Sequence, residues 1–329
     1  MKNNLFLRDN HKFGAETFLS MFLSQYQFVL GSDLDTYSEN ERIFNDDNPC
    51  NIYFILQRPK ITIDPQSFSS NGSRALFDFV IHNKEDKHRI SLSIGLPKVE
   101  SKIKLTTKYP FSQFELFDDK KTLLVAKSSL LYDQISLDKN ITTDILDYEI
   151  LYIGQAYGHL GNRTAFDRLP AHETLQKIYT HALTNNPDSD IWILLTKFSQ
   201  LSMLYTGGVD EKIYSKENKK RDDKLIKDFS DNKGLVFTEK QKINFTEAAL
   251  IKMFEPTYNK TFKNNFPYEK HSSYSECYSL DVRALKIELD TSEMVRNIYS
   301  QKRKRKNYHS EMFELKNDKD RMSLLGMCK

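Results

Sequence analysis

The residues best suited to chemistry lie in one stretch, residues 151–183, which reads LYIGQAYGHLGNRTAFDRLPAHETLQKIYTHAL. It begins as a short apolar strand that ends in Tyr152-Ile153-Gly154 and continues through a loop rich in glycine and asparagine. A helix follows, with Arg168 and His172 near its start. Residues four apart lie on one face of a helix, so this cation and imidazole predict a site for an anionic substrate. The apolar side of the helix is predicted to consist of Leu175, Ile178, Tyr179 and Ala182.

A second candidate is Glu247, in the first turn of a helix predicted over residues 246–259. Thr246 is the candidate N-cap and Pro256 ends the helix. Glu247 falls on an otherwise apolar face, where a carboxylate is costly to bury without a partner. The pattern therefore indicates a metal, a cation or solvent beside Glu247, or an acid that the helix dipole favours.

Together these residue types suit the hydrolysis of a phosphodiester bond. Mg²⁺ or Mn²⁺ held by one carboxylate, with waters and substrate phosphates as further ligands, acts as a Lewis acid. Arginine presents a planar fork to phosphate oxygens, and a tyrosine or histidine can carry the proton. The chain contains no P-loop, no glycine-rich dinucleotide fingerprint, no G-x-S-x-G and no HExxH.

Tyr152-Ile153-Gly154, then Arg168-x-x-x-His172, then a helix headed by Glu247 that ends in Pro256-Thr257-Tyr258-Asn259, resembles the GIY-YIG nuclease family. The resemblance covers roughly residues 125–265. It implies an α+β fold with a small mixed or antiparallel sheet flanked by helices, and a divalent-metal-dependent endonuclease acting on DNA, with RNA not excluded.

The resemblance also implies roles for individual residues. Tyr152 lines the site and bonds the attacking water or another catalytic group, Arg168 stabilises the phosphate, and His172 acts as general base or phosphate contact. Glu247 anchors the metal, and Asn259 closes the motif. The first signature, Gly-Ile-Tyr, is absent as such; the nearest candidate is Leu130-Leu131-Tyr132, with Tyr148 as the rival tyrosine. The predicted substrate contacts are Gly154, Arg163, Lys252 and Lys260.

Composition sets outer limits on these predictions. The 329 residues are enough for two domains. The net charge is only +3, so affinity for nucleic acid requires a local basic patch. Three distant cysteines argue against a disulfide scaffold, and no apolar run approaches the length of a membrane helix. We expect a soluble, cytoplasmic protein that does not enter a membrane.

The remaining elements follow from hydrophobic patterns. Residues 14–30 are predicted as an amphipathic helix, because Phe18, Phe22, Tyr26 and Val29 have helical spacing. Short apolar runs between turn residues predict antiparallel strands from residue 51 to 127. Further strands are expected at 130–135, 148–153, 191–198, 274–282 and 284–289, with 191–198 buried in a sheet centre.

The predicted organisation has a β-rich domain at 1–125, a nuclease-like domain at 126–295 and a basic tail at 296–329. A charged insertion at 205–240 is read as a solvated helix or as a lid over the substrate. In the tail, residues 301–306 (QKRKRK) either contact phosphates or form a solvated terminus.

Two other interpretations stay open. The fold can serve only to bind nucleic acid or a protein, with hydrolysis lost, or the YIG match can be accidental. A protein partner at the N-terminal domain and a homo-oligomer are further expectations. For the nuclease, the composition suggests restriction, anti-phage defence or mobile-element biology as context.

Overall fold

The computed structural model describes residues 12–34, 43–45, 47–84, 86–155, 169, 173–232, 234–235, 237–268 and 281–315. These residues form a mixed α+β fold with one large sheet and two small ones, which confirms the predicted fold class. In the described part, no helix has the length and apolar character needed to cross a membrane.

The large sheet has seven strands drawn from the whole described chain. Its order is β12-β9-β2-β10-β1-β11-β13, mostly antiparallel, with parallel pairs at β1/β11 and β12/β9. The strands are β1 (Ala15–Leu30), β2 (Ile52–Pro59), β9 (Tyr148–Gln155), β10 (Ser189–Thr206), β11 (Val282–Asp290), β12 (Ile298–Tyr299) and β13 (Tyr308–Glu314). The predicted central strand at 191–198 is confirmed as part of β10, between β2 and β1. The strand predicted at 284–289 is confirmed as β11, whereas the one predicted at 274–282 lies mostly outside the described residues.

The predicted helix at 14–30 is wrong, because this segment is strand β1. Residues 15–20 are consecutively buried, since β1 lies inside the sheet and both its faces are covered there. In such a strand, residues are buried at successive positions whatever their spacing, so the helical spacing of its aromatics was not diagnostic.

Helices pack against both faces of the large sheet. On one face, α4 (Glu239–Phe254) buries Leu250 and Phe254 against Phe54 and Ile153. On the other, the α2 helix (Glu173–Asn185) buries Leu175 and Ile178. The predicted apolar side of the helix in 151–183 is therefore confirmed for the described part of that helix.

Residues 61–146 form a separate β-rich unit inserted between β2 and β9. It contains its own hydrophobic core, from Ile61 to Leu146. Its sheets consist of β3 (Ile61–Ser70), β4 (Arg74–Asn83) and β5 (Asp86–Gly95), and of β6 (Lys104–Thr107), β7 (Gln113–Phe117) and β8 (Thr122–Lys127). Strands β1 and β2 belong to the large sheet, so the predicted boundary near residue 125 does not coincide with the division between the sheets.

The predicted strand at 130–135 is wrong, because it lies in helix α1 (Ser128–Lys139) of the inserted unit. Its buried positions, Ser128, Tyr132 and Ile135, recur at helical spacing. Asn140 ends the helix in the left-handed conformation that asparagine tolerates. Asp133 of this helix forms a bidentate ion pair with Arg58 of β2 and so joins the two units.

The charged segment after β10 is helical, as expected, but shorter than predicted: α3 spans Lys216–Asp231. The helix that carries Glu247 begins earlier than predicted. Its N-cap is Thr238, in a capping box with Gln241, whereas Thr246 lies inside the helix and donates to the backbone oxygen of Lys242. Glu247 is therefore in the middle of the helix and not in its first turn.

In the segment predicted as a basic tail at 296–329, the described residues include β12 and β13, which pair in the large sheet. Residues 301–306 lie in the connection between them. Backbone bonds in both directions between Ile298 and Lys306 close this connection into a hairpin.

Candidate functional site

Two tyrosines meet on neighbouring antiparallel strands of the large sheet. Tyr53 of β2 is opposite Gly154 of β9, and Ile55 is opposite Tyr152. Residues two apart on a strand share a face, so Tyr53 and Tyr152 lie on the same face, the one covered by α2. Their ring centroids are 6.2 Å apart with an interplanar angle of 38°. Tyr53 is fully buried and Tyr152 is half-buried.

Gly154 makes this approach sterically possible. A Cβ atom at residue 154 would lie 2.7 Å from Cε1 of Tyr152 and 2.7 Å from the hydroxyl of Tyr53. Ordinary contacts of a Cβ begin near 3.4 Å. A side chain at this position would therefore separate the two rings. The predicted substrate contact at Gly154 stays a prediction.

Asn259 joins the end of the Pro256–Asn259 segment to strand β9 through hydrogen bonds. Its side-chain oxygen accepts from the backbone N–H of Ile153 (2.9 Å), and its Nδ2 donates to the backbone oxygen of Ile153 (2.8 Å). The backbone N–H of Tyr258 donates to the oxygen of Leu151 (3.0 Å). Asn259 is buried, and both bonds hold the strand beside Tyr152. These bonds give Asn259 a positioning role, and its predicted catalytic contact stays a prediction.

Tyr132, the predicted partner of Tyr152, is far from this arrangement in the fold. It is fully buried in the core of the inserted unit, with its ring 5.3 Å from that of Phe79. The rival Tyr148 is also buried, with its ring 5.7 Å from Trp192. Burial raises the pKa of both hydroxyls, which keeps them protonated. Neither tyrosine lies beside Tyr152.

Tyr53 is the site residue that sequence reasoning missed. It belongs to Asn51-Ile52-Tyr53, which differs from Gly-Ile-Tyr in its first residue and stands at the start of an apolar strand. That tripeptide was the sequence signal that could have identified Tyr53. The inserted unit at 61–146 separates it from Tyr152-Ile153-Gly154 in the sequence, so the two strands do not read as one hairpin.

Glu247 is half-buried on α4, among the buried side chains of that helix. In the described part of the chain, no three His, Cys, Asp or Glu side chains group into a metal site. Helix α4 packs on the face of the large sheet opposite to the tyrosine pair. The metal role of Glu247 therefore stays a prediction.

The predicted substrate-contacting lysines have different environments. Lys252 is engaged within the protein, since its Nζ donates to the backbone oxygen of Lys263 (2.6 Å) and pairs with Glu255 (3.2 Å). Lys260 is exposed directly after Asn259 and can meet a substrate. Arg163, Arg168 and His172 lie outside the described residues, so their predicted roles stay predictions.

A cleft of about 930 Å³ lies between the large sheet and the inserted unit, on the same face as the tyrosines. We call it the amide cleft, because five carboxamide side chains line it. They are Gln57, Asn83, Asn185, Asn186 and Gln301. Leu151 and Tyr258 also line it, so it adjoins the strand and the turn that carry the tyrosine site. The sequence contained no local signal for this cleft, since its walls come from distant segments.

His181 of α2 and Tyr258 share a hydrogen bond of 2.9 Å at the wall of the amide cleft. Burial raises the pKa of the Tyr258 hydroxyl. The hydroxyl therefore keeps its proton near neutral pH. This pair fixes the orientation of an imidazole that faces the cleft.

Comparison with protein-family models, curated proteins and solved structures found no match for this chain. The resemblance to GIY-YIG nucleases therefore stays a prediction from the sequence. Four residues of the candidate site come together on two neighbouring strands and one turn. They are Tyr53, Tyr152, Gly154 and Asn259.

Proposed function

We propose that this protein is a divalent-metal-dependent nuclease that hydrolyses phosphodiester bonds of DNA. The observation that carries the proposal is the pair of Tyr53 and Tyr152 on adjacent antiparallel strands, with Gly154 between their rings. The two GIY-YIG signatures would bring their tyrosines together in this way. Asn51-Ile52-Tyr53 thus supplies the counterpart for the first signature, in place of Tyr132.

The hydroxyl of the half-buried Tyr152 would orient the attacking water and relay its proton, and the hydroxyl of the fully buried Tyr53 would act through Tyr152. General acid–base groups of this kind contribute about 10² to 10⁴ in rate. Arg168 would bind the phosphate with its guanidinium fork, and His172 would act as the nearby base or as a second phosphate contact. A divalent ion on Glu247 would stabilise the charge of the leaving oxygen. Asn259 holds the strand of Tyr152 in register and does not need to touch the substrate.

Cleavage of supercoiled plasmid tests the proposal. Purified protein is incubated with Mg²⁺, with Mn²⁺ or with EDTA, and nicked and linear products are measured. We expect cleavage that requires the metal and that Glu247→Ala abolishes. Glu239→Ala is the matched control, because Glu239 is an exposed carboxylate on the same helix. It should cleave like the wild type.

A second comparison tests the tyrosine pair. Tyr53→Phe and Tyr152→Phe each remove one hydroxyl and should lower the rate about 10²-fold or more. Tyr132→Phe makes the same chemical change in the core of the inserted unit and should leave the rate unchanged. Equal cleavage rates for Tyr53→Phe and the wild type would refute the proposed role of the tyrosine pair. DNA retention on a gel without any cleavage would favour a protein that only binds nucleic acid.

A further inference from the structure

The amide cleft has enough room and a suitable lining for a small polar ring. Its volume of about 930 Å³ is at the upper end of ordinary ligand clefts. Its charged side chains balance, since Arg58, Lys84 and Arg305 face Asp144, Glu149 and Asp188. Carboxamides both donate and accept hydrogen bonds, and in protein–DNA recognition they pair with the edges of bases. A neutral cleft lined by carboxamides suits a nucleobase better than a phosphate.

One wall of the cleft is formed by the hairpin of residues 299–307, which we call the basic hairpin. Tyr299, Gln301 and Arg305 line the cleft from this hairpin. The guanidinium of Arg305 lies 4.0 Å above the ring centroid of Tyr299. An aromatic ring and a guanidinium are the two kinds of side chain on which unpaired bases stack.

The basic hairpin is held rigidly by the protein interior. The Ser300 hydroxyl donates to the backbone oxygen of Phe254, at the end of α4. Nε2 of the buried His309 donates to the backbone oxygens of Ile298 (2.9 Å) and Lys306 (3.1 Å). Arg303 forms an ion pair with Glu311. The conformation is therefore set before any ligand binds, which lowers the entropic cost of binding.

The exposed face of the hairpin is basic. Lys302 and Lys304 are exposed, as is Lys306 at its end. These three ammonium groups repel one another, so the surrounding fold must hold them in place. A local group of cations beside a neutral cleft can bind a polyanion in a chain whose net charge is only +3.

We propose that the amide cleft receives an unpaired nucleobase, and that the lysines of the basic hairpin bind the neighbouring phosphates of the same strand. The ligand class is a nucleic acid with at least one base out of the duplex stack. The amides meet the edge of the base, and Tyr299 with Arg305 offers the stacking surface. The cleft would serve as the recognition site of the nuclease proposed above, so its biological use rests on that proposal.

Binding without cleavage tests the basic hairpin. Fluorescence anisotropy in EDTA measures the affinity for labelled DNA and RNA strands of about 15 nucleotides, and for the matching duplexes. We expect the single strands to bind more tightly than the duplexes. Lys302→Glu with Lys304→Glu should weaken binding at least about tenfold at low salt. The slope of log affinity against log salt should fall by about 1.4, which is two contacts at about 0.7 each.

The control variant carries the same charge reversal on helix α3, as Lys219→Glu with Lys220→Glu. Both residues are exposed. Asp222 of helix α3 accepts a hydrogen bond from the backbone N–H of Gly14, which lies beside the Thr206 end of β10. The cleft is lined by Ser189, at the other end of β10. That strand has 18 residues, so the two ends are on the order of 50 Å apart. The control should bind like the wild type.

The cleft itself is tested with a strand that contains one 2-aminopurine. Its fluorescence should change when the base enters the cleft. Asn185→Trp places a large ring at the cleft wall and should abolish this change. Thr184→Trp adds the same ring at the preceding residue of α2, which is exposed and outside the cleft lining. This variant should preserve the fluorescence change.

Equal affinities for the hairpin variant and the wild type would overturn the proposal, as would equal affinities for single strands and duplexes. An unchanged 2-aminopurine signal in Asn185→Trp would refute the pocket. Glu247→Ala should bind like the wild type, so the two proposals fail separately. If the protein binds DNA through the cleft but does not cleave it, only the nuclease proposal fails. If it cleaves DNA without binding through the cleft, only the pocket proposal fails.

Discussion

Gly154→Ala is expected to destabilise the large sheet, although alanine is usually more stable than glycine in a strand interior. The added Cβ would lie 2.7 Å from atoms of both Tyr53 and Tyr152, against an ordinary contact of 3.4 Å. The rings must therefore retreat by about 0.7 Å (3.4 − 2.7). Tyr53 is fully buried, so its ring has little space in which to move.

The expected magnitude combines two opposing effects. Overpacking a filled site costs about 1–3 kcal/mol. Replacing glycine by alanine reduces the freedom of the unfolded chain and stabilises the protein by about 0.4–1 kcal/mol. The net expectation is a decrease of about 1–2 kcal/mol in the free energy of unfolding. Cleavage activity should fall as well, because the displaced rings belong to the proposed site.

Urea unfolding measures this change through the fluorescence of Trp192. It is the only tryptophan of the chain, and it lies in β10 of the same sheet. Gly95→Ala is the matched control, since a Cβ at residue 95 of β5 meets nothing within 4 Å. Its unfolding midpoint should be unchanged or slightly higher. If Gly154→Ala behaves like Gly95→Ala, the rings are not in steric contact through residue 154 and the reasoning fails.

Three further predictions concern stability. Asp133→Asn should cost about 3 kcal/mol, because it removes the charge that pairs with the fully buried Arg58; an unchanged urea midpoint would contradict this. Asn259→Ala should cost about 2–4 kcal/mol by leaving the buried N–H and C=O of Ile153 without their partner, and Asn259→Asp, which restores only the acceptor, should fall between alanine and wild type in the same assay. Burial lowers the pKa of His309 below its usual 6.5, so the unfolded chain binds the proton more readily than the folded protein. The free energy of unfolding should therefore decrease as the pH falls below about 6.5, and His309→Gln should show a smaller decrease between pH 7.5 and 5.5; equal decreases would refute the assignment.

Elements whose residues specify their own conformation were predicted well. The strands from β2 to β5, and β7 with β8, follow from short apolar runs between turn residues. The buried strand at 191–198 follows from a continuous apolar run that is too short for a typical helix. In each case, local propensity and tertiary burial favour the same structure.

The errors arose where the local pattern was compatible with two structures. Residues 15–30 carry apolar side chains both at helical spacing and in succession, and only the neighbours β10 and β11 decide for a strand. Residues 130–135 are apolar enough for a strand, but the helix extends beyond them in both directions and buries Ser128 and Tyr132 together. The contacts that select the structure come from residues distant in sequence.

The sequence by itself determined the α+β class, the strand that carries Tyr152-Ile153-Gly154 and the central strand at 191–198. Only the tertiary structure decided that Tyr53, and not Tyr132, lies beside Tyr152. It also decided that residues 301–306 form a hairpin at the wall of a cleft. The physical reason is that strand pairing joins residues across any length of intervening chain. An inserted unit with its own core hides such a pair from every local pattern.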